Sequence, residues 1–294
     1  MRKCVNYRFF CLSFLILTYT GSISGIDLNT KIVTTGWLRS NLENEKIRVM
    51  DVRPQSEYGK SHICGAVYID IEQILDTDTR KLDPVMLMEV LGKSGIDENA
   101  TIIIYGNSSD WRQFYLLWSL DYIGHTRSAI LDGGYGQWKK EERPLSQNPP
   151  AKKIVKYRNK SIFNSAIRAS LYDLKKPSNG ISPIVISIEC TKGVSDKQID
   201  MNGPVRKKAC IRCWTEDVAD DGSWKNPEIL KSAYAALGLS PSSTVVVTSD
   251  DGCSSAISWF TLKYVIGFSN VKNFDGSEGK WADRESVSVQ MGMQ

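Results

Sequence analysis

Apolar residues along the chain form short blocks that recur in the same order. Two runs rich in β-branched residues, 101–105 and 244–248, have the pattern of buried strands. An apolar-rich helical pattern follows each run, at 112–122 and at 255–265, and a glycine lies just beyond each predicted helix, as C-terminal capping favours. Strands that alternate with helices predict an α/β fold with mainly parallel sheets flanked by helices.

The two blocks match each other at a constant offset of 143 residues. Segments 95–138 and 238–281 share eight identities without a gap, and this predicts an internal duplication. Among the identical pairs are Gly95/Gly238, Thr101/Thr244, Gly124/Gly267, Asp132/Asp275, Gly133/Gly276, Gly136/Gly279 and Trp138/Trp281. When the halves are superposed, we expect Gly106 to fall on Ser249.

The duplication predicts two domains, over residues 30–145 and 165–290. The stretch between them, 146–164, carries Pro149-Pro150 and several lysines and has the composition of a linker. Ligands of open α/β sheets bind at the carboxyl ends of the strands. The loops that follow the two β-branched runs are therefore the candidate functional sites.

The first residues differ from the rest of the chain in charge and hydropathy. Arg2, Lys3 and Arg8 precede the apolar run 9–20, and small residues follow it, which is the layout of a signal peptide over residues 1–24. The run falls short of the about 20 apolar residues that span a bilayer, so we expect no stable membrane insertion after its removal. The layout predicts a protein that is secreted or lies in the lumen of the secretory pathway; the alternative is a mitochondrial presequence.

Removal of that segment lowers the formal charge of the chain from +4 to +1. A nearly neutral protein has no electrostatic feature that favours a polyanion, so we expect no nucleic-acid partner. Five cysteines remain, and an odd number leaves at least one thiol unpaired, or joined to another chain, in an oxidising compartment. They are Cys64, Cys190, Cys210, Cys213 and Cys253.

Several short motifs along both halves occur together in a known family. The motifs are Asp51-Val52-Arg53, Glu57-Tyr58, Ser61–Ala66, Asp132-Gly133-Gly134 and Trp138 in the first half, and Ser258-Trp259-Phe260, Asp275-Gly276 and Trp281 in the second. Those of the first half are similar to a D-x-R…E-Y…G-H-I-P-G-A pattern. Over roughly residues 30 to 285 the chain resembles the rhodanese family of two-domain thiosulfate and 3-mercaptopyruvate sulfurtransferases.

The resemblance implies two tandem rhodanese-like domains, the second of them catalytic in the family, and it implies no cofactor and no metal. In the family a persulfide forms on the cysteine that opens a loop with a pattern like C-R-x-G-x-R/T, and the sulfur donor is a small anion. A thiolate is the nucleophile there, because the backbone N–H groups of a curled loop and its cationic side chains stabilise negative charge.

The matching loop of this chain is 249–254, with the sequence Ser-Asp-Asp-Gly-Cys-Ser. Gly252 falls on the glycine of the family pattern, so Ser249 takes the position of the nucleophile. Asp250 takes the first cationic position and Ser254 the arginine or threonine position. Asp251 adds a second carboxylate.

These substitutions predict that the family's chemistry is lost. A serine hydroxyl cannot become a persulfide. Unit like charges about 4 Å apart repel by about 1 kcal/mol in water and by about 4 kcal/mol at an effective dielectric near 20, so Asp250 and Asp251 should repel a thiosulfate dianion. The first motif is also eroded in the second half, with Ser187-Ile188-Glu189 in place of D-x-R and Pro204–Ala209 in place of G-H-I-P-G-A. We expect an inactive binding or scaffold protein whose protein or ligand partner the sequence does not identify.

Cys253 keeps an alternative open. It lies four residues after Ser249, and an active or residual sulfurtransferase would use it as the nucleophile that takes sulfur from thiosulfate or 3-mercaptopyruvate. Otherwise Cys253 fills an apolar side of the loop or takes part in a disulfide. Cys210 and Cys213 have the spacing of a zinc or redox pair, but the scarcity of further ligands favours a disulfide or two buried thiols.

Other conspicuous residues have structural interpretations. His62 opens a turn, and His125 directly follows the capping Gly124. Asp51 and Arg53 are expected to brace the end of the sheet rather than to act as acid and base.

Overall fold

The computed structural model describes residues 31–108, 110–151, 153–159, 162–175, 183–188, 209–219 and 223–276. The predicted signal peptide, Cys190, residues 204–208 and Trp281 lie outside the described residues, so the expectations for them stay predictions. Within these ranges every helix falls short of the length and apolar content that a bilayer crossing requires.

The first half folds around a five-stranded sheet. The strands of this half are β1 (Ile32–Val33), β2 (Ile47–Asp51), β3 (His62–Ile63), β4 (Val67–Tyr68), β5 (Thr101–Tyr105), β6 (Ser128–Leu131) and β7 (Leu145–Ser146), and β3 and β7 form a separate short pair. Its helices are α1 (Thr35–Asn41), α2 (Gln55–Lys60), α3 (Pro84–Lys93), α4 (Trp111–Tyr122) and α5 (Gly134–Lys140), with a 3-10 turn at Ile71–Ile74. The sheet has the order β1-β6-β5-β2-β4 with all neighbours parallel, and β3 pairs with β7 in antiparallel fashion.

The second half folds around a four-stranded sheet. Its strands are β8 (Ile184–Ile188), β9 (Ala209–Arg212), β10 (Thr244–Ser249) and β11 (Asn270–Asn273). Its helices are α6 (Leu171–Lys175), α7 (Pro227–Ala236) and α8 (Ser255–Phe260), which continues as a π-helical turn at Thr261–Val265; 3-10 turns lie at Ser165–Ile167 and Trp214–Glu216. The order is β11-β10-β8-β9, again with all neighbours parallel.

The two sheets repeat one strand order. The series β6-β5-β2-β4 of the first half corresponds to β11-β10-β8-β9 of the second, and β5 and β10 begin at positions 101 and 244, as the repeat predicts. The protein therefore has the predicted α/β fold, with two tandem domains built on mainly parallel sheets that helices flank. The exact domain boundaries stay predictions.

Strand β5 shows why its residues form an unbroken apolar run. Ile102 and Ile104 lie in the apolar cluster that includes α3 and α4, whereas Ile103 and Tyr105 lie in the cluster that includes α1 and α5. Because helices cover both faces of the sheet, successive side chains are all buried, and polar alternation is absent from this strand.

The halves pack against each other through α4 and α8. The ring centroids of Phe114 and Phe260 lie 5.2 Å apart, and buried residues of both halves form one apolar cluster. Tyr264 donates a hydrogen bond to Asp121, the residue 143 positions before it. Contact between repeat-equivalent positions is what an approximate two-fold axis between the halves requires.

The predicted helix 255–265 is confirmed in its extent, but its second part is π-helical rather than α-helical. Helix α8 ends at Phe260, and a π-helical turn follows. The Thr261 hydroxyl donates to the carbonyl of Ile257 at 3.1 Å and accepts the indole N–H of Trp224 at 3.0 Å. A tertiary hydrogen bond to a side chain that also bonds the helix backbone is a local reason for the departure, because such contacts perturb the α-helical ladder.

Part of the predicted linker is held against the first half. We call residues 153–159 the strap. The N–H of Val155 donates to the carbonyl of Gly92 at 3.0 Å, and the Tyr157 hydroxyl lies 2.9 Å from Nδ1 of His125. A Cβ at position 92 would lie 2.5 Å from the Val155 oxygen, so only glycine lets the strap approach α3 this closely.

Candidate functional site

The loop 249–254, here called the candidate loop, lies at the carboxyl end of β10, as predicted. Strands β8 and β11 flank β10 in the sheet. Ser249 is the last residue of β10, pairs with Ile188 of β8 and is 1% exposed. The position of the nucleophile in the family pattern therefore falls at a strand end, with a buried hydroxyl in it.

The Asp251 carboxylate organises the candidate loop. Its Oδ1 accepts the backbone N–H groups of Cys253 and Ser254, both at 2.8 Å. The same oxygen accepts the hydroxyl groups of Ser249, at 2.8 Å, and of Ser254, at 3.0 Å. Ser249 Oγ in turn accepts the N–H of Ser255 at 3.2 Å. The loop therefore closes around its own carboxylate.

Gly252 permits the tight turn of this loop. Its φ of +72° lies in the left-handed region, which glycine adopts without a steric penalty. Its N–H donates to the carbonyl of Ser249 at 3.1 Å and closes the turn. The two preceding residues, Asp250 and Asp251, are exposed, so the turn carries negative charge at the protein surface.

Cys253 faces the core. It is a free thiol and 1% exposed, and it belongs to the apolar cluster that also contains α8 residues. Burial, with the Asp251 charge as a second cause, raises the pKa of the Cys253 thiol far above its ordinary value. Because the thiolate is the reactive form of cysteine, this thiol is a poor nucleophile at neutral pH in the conformation described.

A cation near the candidate loop comes from the other half of the chain. Leu75 and Leu82 form an isolated β-bridge, and the turn between them carries Arg80 in the left-handed conformation, with a φ of +59°. Arg80 pairs with Glu72, and its charge opposes the rise in the pKa of Cys253. The sequence motif of the loop does not predict Arg80, because tertiary packing of the two halves places this residue near the candidate loop.

The first half braces the end of its sheet with a buried ion pair. Arg53 Nη2 lies 2.6 Å from Asp51 Oδ2, and the guanidinium lies 3.6 Å from the ring centroid of Tyr135. The Tyr105 hydroxyl donates to the same carboxylate at 2.5 Å. With its charges matched and its oxygens bonded, the pair has the contacts of a structural element, in agreement with its interpretation from the sequence.

The second half uses other residues for a comparable purpose. Ser187 stands in β8 where the first half has its aspartate. Arg212, at the end of β9, pairs with the buried Asp217 at 2.7 Å, and the Tyr234 hydroxyl donates to that carboxylate at 2.5 Å. Burial raises the pKa of Asp217, and the hydrogen bond from Tyr234 and the charge of Arg212 act against that rise. Sequence reasoning missed this network, since its members do not match the family motif.

Both histidines have structural surroundings. His62 is fully buried and stacks on Tyr58 with ring centroids 4.0 Å apart. Its ring nitrogens lie 2.9 and 3.2 Å from the carbonyl oxygens of Tyr58 and Asn148. Burial lowers the pKa of His125 to about 4, so this ring is neutral at pH 7.

Cys210 and Cys213 are not bonded to each other. Cys210 is a free thiol whose Sγ lies 3.7 Å from the carbonyl oxygen of Leu237. Cys213 takes part in a disulfide bond. Within the described ranges, no three His, Cys, Asp or Glu side chains are grouped as a metal site requires.

Comparisons with known proteins extend along nearly the whole chain. A family model described as a rhodanese-like domain matches residues 34–141. The chain is similar to the putative thiosulfate sulfurtransferase 1 of Mycobacterium bovis, with 27% identity over 276 residues that cover 89% of this chain and 98% of that protein. It is also similar to the sulfur carrier protein TtuD of Thermus thermophilus, with 29% identity over 282 residues that cover 89% of this chain and 96% of that protein.

A solved structure agrees with the fold of both halves. The 3-mercaptopyruvate sulfurtransferase SseA from Escherichia coli superposes with a TM-score of 0.71 at 21% identity, over 84% of this chain and 98% of that one. The wild-type structure of EanB superposes with a TM-score of 0.74 at 16% identity, over 86% of this chain and 67% of that one. At these identities the likeness establishes the architecture alone.

Proposed function

We propose that this chain, a sulfurtransferase-like rhodanese protein, is catalytically inactive and acts by binding. The side chain at the end of β10 carries the proposal. Ser249 has a hydroxyl where the family pattern has the persulfide-forming cysteine, and this hydroxyl donates to Asp251. A carboxylate is far too weak a base to ionise a serine hydroxyl.

A second candidate function is sulfur transfer through Cys253, since this is the cysteine of the candidate loop. Its burial and its raised pKa argue against a reactive thiolate. For Cys253 to accept sulfur, the candidate loop would have to open and give up the bonds around Asp251. We therefore rank this function below the inactive one.

A turnover assay with a cysteine variant separates the two candidates. The mature protein is incubated with thiosulfate plus cyanide, and in parallel with 3-mercaptopyruvate, and thiocyanate and pyruvate are measured. We expect neither product above the buffer background and no sulfur adduct in the intact mass. Turnover that disappears in Cys253→Ser would support the second candidate, and turnover that persists in Cys253→Ser would contradict both.

We propose that the binding partner is a protein or a small ligand rather than a nucleic acid. The formal charge of +1 without residues 1–24 supports this, and so do the two exposed carboxylates of the candidate loop, which repel phosphate groups. Filter binding with DNA and RNA at low salt should show no saturable retention. Retention that falls steeply with salt would contradict the proposal.

We also propose that the protein enters the secretory pathway and loses residues 1–24. The support is the charged, apolar and small-residue layout at the start of the sequence. N-terminal sequencing of protein recovered from medium or lumen should begin near Gly25. An intact Met1 on protein from the cytosol would contradict the proposal, and recovery from mitochondria would support the alternative presequence.

A further inference from the structure

Four hydrogen-bond donors of the candidate loop converge on one atom. The family mechanism implies that such a loop directs N–H and O–H groups at a negatively charged atom, because oriented donors of a curled loop form an anion-binding concavity. Here the donors are the N–H groups of Cys253 and Ser254 and the hydroxyls of Ser249 and Ser254. All four donate to a single atom, Oδ1 of Asp251, at 2.8 to 3.0 Å.

We propose that the Asp251 carboxylate is an internal anion that occupies the cradle of the candidate loop and thereby excludes thiosulfate and other small external anions. This rests on the proposed function, since it gives an inactive member a second and separate reason for inactivity. Loss of the cysteine removes the nucleophile, whereas Asp251 removes the place for a negatively charged donor or persulfide. Asp251 is then the residue that determines whether the candidate loop can bind an external anion.

A tethered carboxylate has an advantage over a free anion in solution. A group on a short connection competes with an effective concentration on the order of mM or more. One residue lies between Asp251 and Cys253, and two lie between Asp251 and Ser254. The hydrogen bonds from these two N–H groups therefore form without long-range ordering of the chain. An external anion would also have to bind beside the displaced Asp251 carboxylate, and the two negative charges would repel each other.

The neighbouring Asp250 provides the matched comparison. It carries the same charge, is exposed like Asp251 and adjoins it in sequence, but it is not the acceptor in any of the four bonds. A general negative charge on the loop would make the two aspartates equivalent. Occupation of the cradle makes Asp251 alone decisive.

The test measures thiosulfate binding by isothermal titration calorimetry at constant ionic strength, with chloride as the reference anion. Wild type and Asp250→Ala should show no saturable binding, whereas Asp251→Ala should bind thiosulfate at least about tenfold more tightly than either. Asp251→Asn should resemble wild type, because its amide oxygen still fills the cradle although the charge is gone. Circular dichroism checks that each variant is folded.

Three outcomes would overturn the proposal: wild type that binds thiosulfate as tightly as Asp251→Ala, equal gains in Asp250→Ala and Asp251→Ala, or a folded Asp251→Ala that does not bind. Equal gains would show that charge alone excludes the anion. The turnover assay is read separately, so activity of the wild type would refute the proposed function without deciding this point.

A thiol placed in the cradle provides a second measurement if Asp251→Ala loses the loop conformation. In Ser249→Cys the new thiol lies beside the Asp251 carboxylate, and a like charge raises the pKa of a thiol. The pH dependence of alkylation should give a pKa about one unit or more lower in Ser249→Cys/Asp251→Asn than in Ser249→Cys. Ser249→Cys/Asp250→Asn should show a smaller change, and an equal change in the two double variants would overturn the proposal.

Discussion

Several ionisable side chains are buried in this protein, and their surroundings determine how the cost of that burial is met. The Asp51 carboxylate is fully buried, and its counter-ion Arg53 is 2% exposed. Removing such charges from water costs several kcal/mol, which close pairing and additional hydrogen bonds must offset. His125 avoids this cost, because burial keeps its ring neutral.

Replacement of Arg53 by alanine leaves the Asp51 carboxylate buried without its cation. We expect Arg53→Ala to lower the free energy of unfolding by about 3 to 5 kcal/mol, as measured by urea denaturation. Arg80→Ala is the control, since its ion pair with Glu72 is well exposed on both sides and should contribute at most about 1 kcal/mol. Equal losses in the two variants would contradict the structural role of the buried pair.

The neutral His125 makes stability depend on pH in the acidic range. Its pKa is about 4 in the folded protein against about 6.5 in an unfolded chain, so the unfolded state binds more protons between these values. This group's stabilising contribution is complete above about pH 6.5 and is lost as the pH falls towards 4, by up to about 3 kcal/mol. Urea denaturation at several pH values should show a shallower decline in His125→Gln than in wild type, and parallel profiles would argue against this origin.

The residues of the candidate loop differ in how far the sequence determines their roles. The sequence located Ser249 and Gly252 at the end of a strand, because the glycine sets the register of the motif; the structure places Ser249 at the end of β10 and Gly252 in a left-handed turn. The hydrogen bonds from the loop to Asp251 could not be predicted, since they depend on the dihedral angles of the turn. The approach of Arg80 could not be predicted either, because it follows from packing between the halves.

Elements of secondary structure approach each other most closely where a side chain is missing. The strap crosses α3 at Gly92, and the carbonyl of Val155 occupies the space that a Cβ would need. Gly59, near the end of α2, has no heavy atom within 4 Å of the corresponding point. The two glycines therefore differ in packing although both lie in helices.

Alanine at these two positions should have opposite effects. Gly92→Ala should destabilise the protein by about 1 to 3 kcal/mol, because the added methyl group overpacks the contact with the strap. Gly59→Ala should be neutral or stabilising by up to about 1 kcal/mol, since alanine favours the helix more than glycine does. Urea denaturation measures both, and hydrogen exchange at the Val155 N–H should quicken in Gly92→Ala alone. Unchanged exchange there would indicate that the strap does not depend on this contact.

The strength of the sequence pattern decided which elements could be predicted. The β-branched runs of β5 and β10 were sufficient, because strands buried on both faces need continuous apolar residues. The two-residue strands β1 and β4 are too short to show a period, and the sheet to which they add fixes them. The π-helical turn after Phe260 was missed, since its cause is a tertiary hydrogen bond from Trp224.

The described residues of both halves share one main core, although each half has its own parallel sheet. Phe114 of α4 and Phe260 of α8 meet at the interface, and Trp224 packs on both rings with centroid distances of 5.5 and 5.3 Å. A second connection joins Asp275 to Arg168 at 2.7 Å and to the N–H of Leu82 at 2.9 Å. The duplication could be predicted from the repeat, but these contacts could not, because they depend on how the two halves pack against each other.

A shared core predicts that the two halves unfold together. In differential scanning calorimetry, wild type should show a single transition whose calorimetric and van't Hoff enthalpies agree. Phe260→Ala should lower the free energy of unfolding by about 3 to 5 kcal/mol and split the transition in two, because the lost ring is the contact through which the halves stabilise each other. Leu38→Ala is the control. Leu38 lies in a cluster confined to the first half, so its loss should lower the transition temperature while the single transition remains. A single transition in Phe260→Ala, or a split one in Leu38→Ala, would show that the coupling between the halves does not pass through the α4–α8 contact.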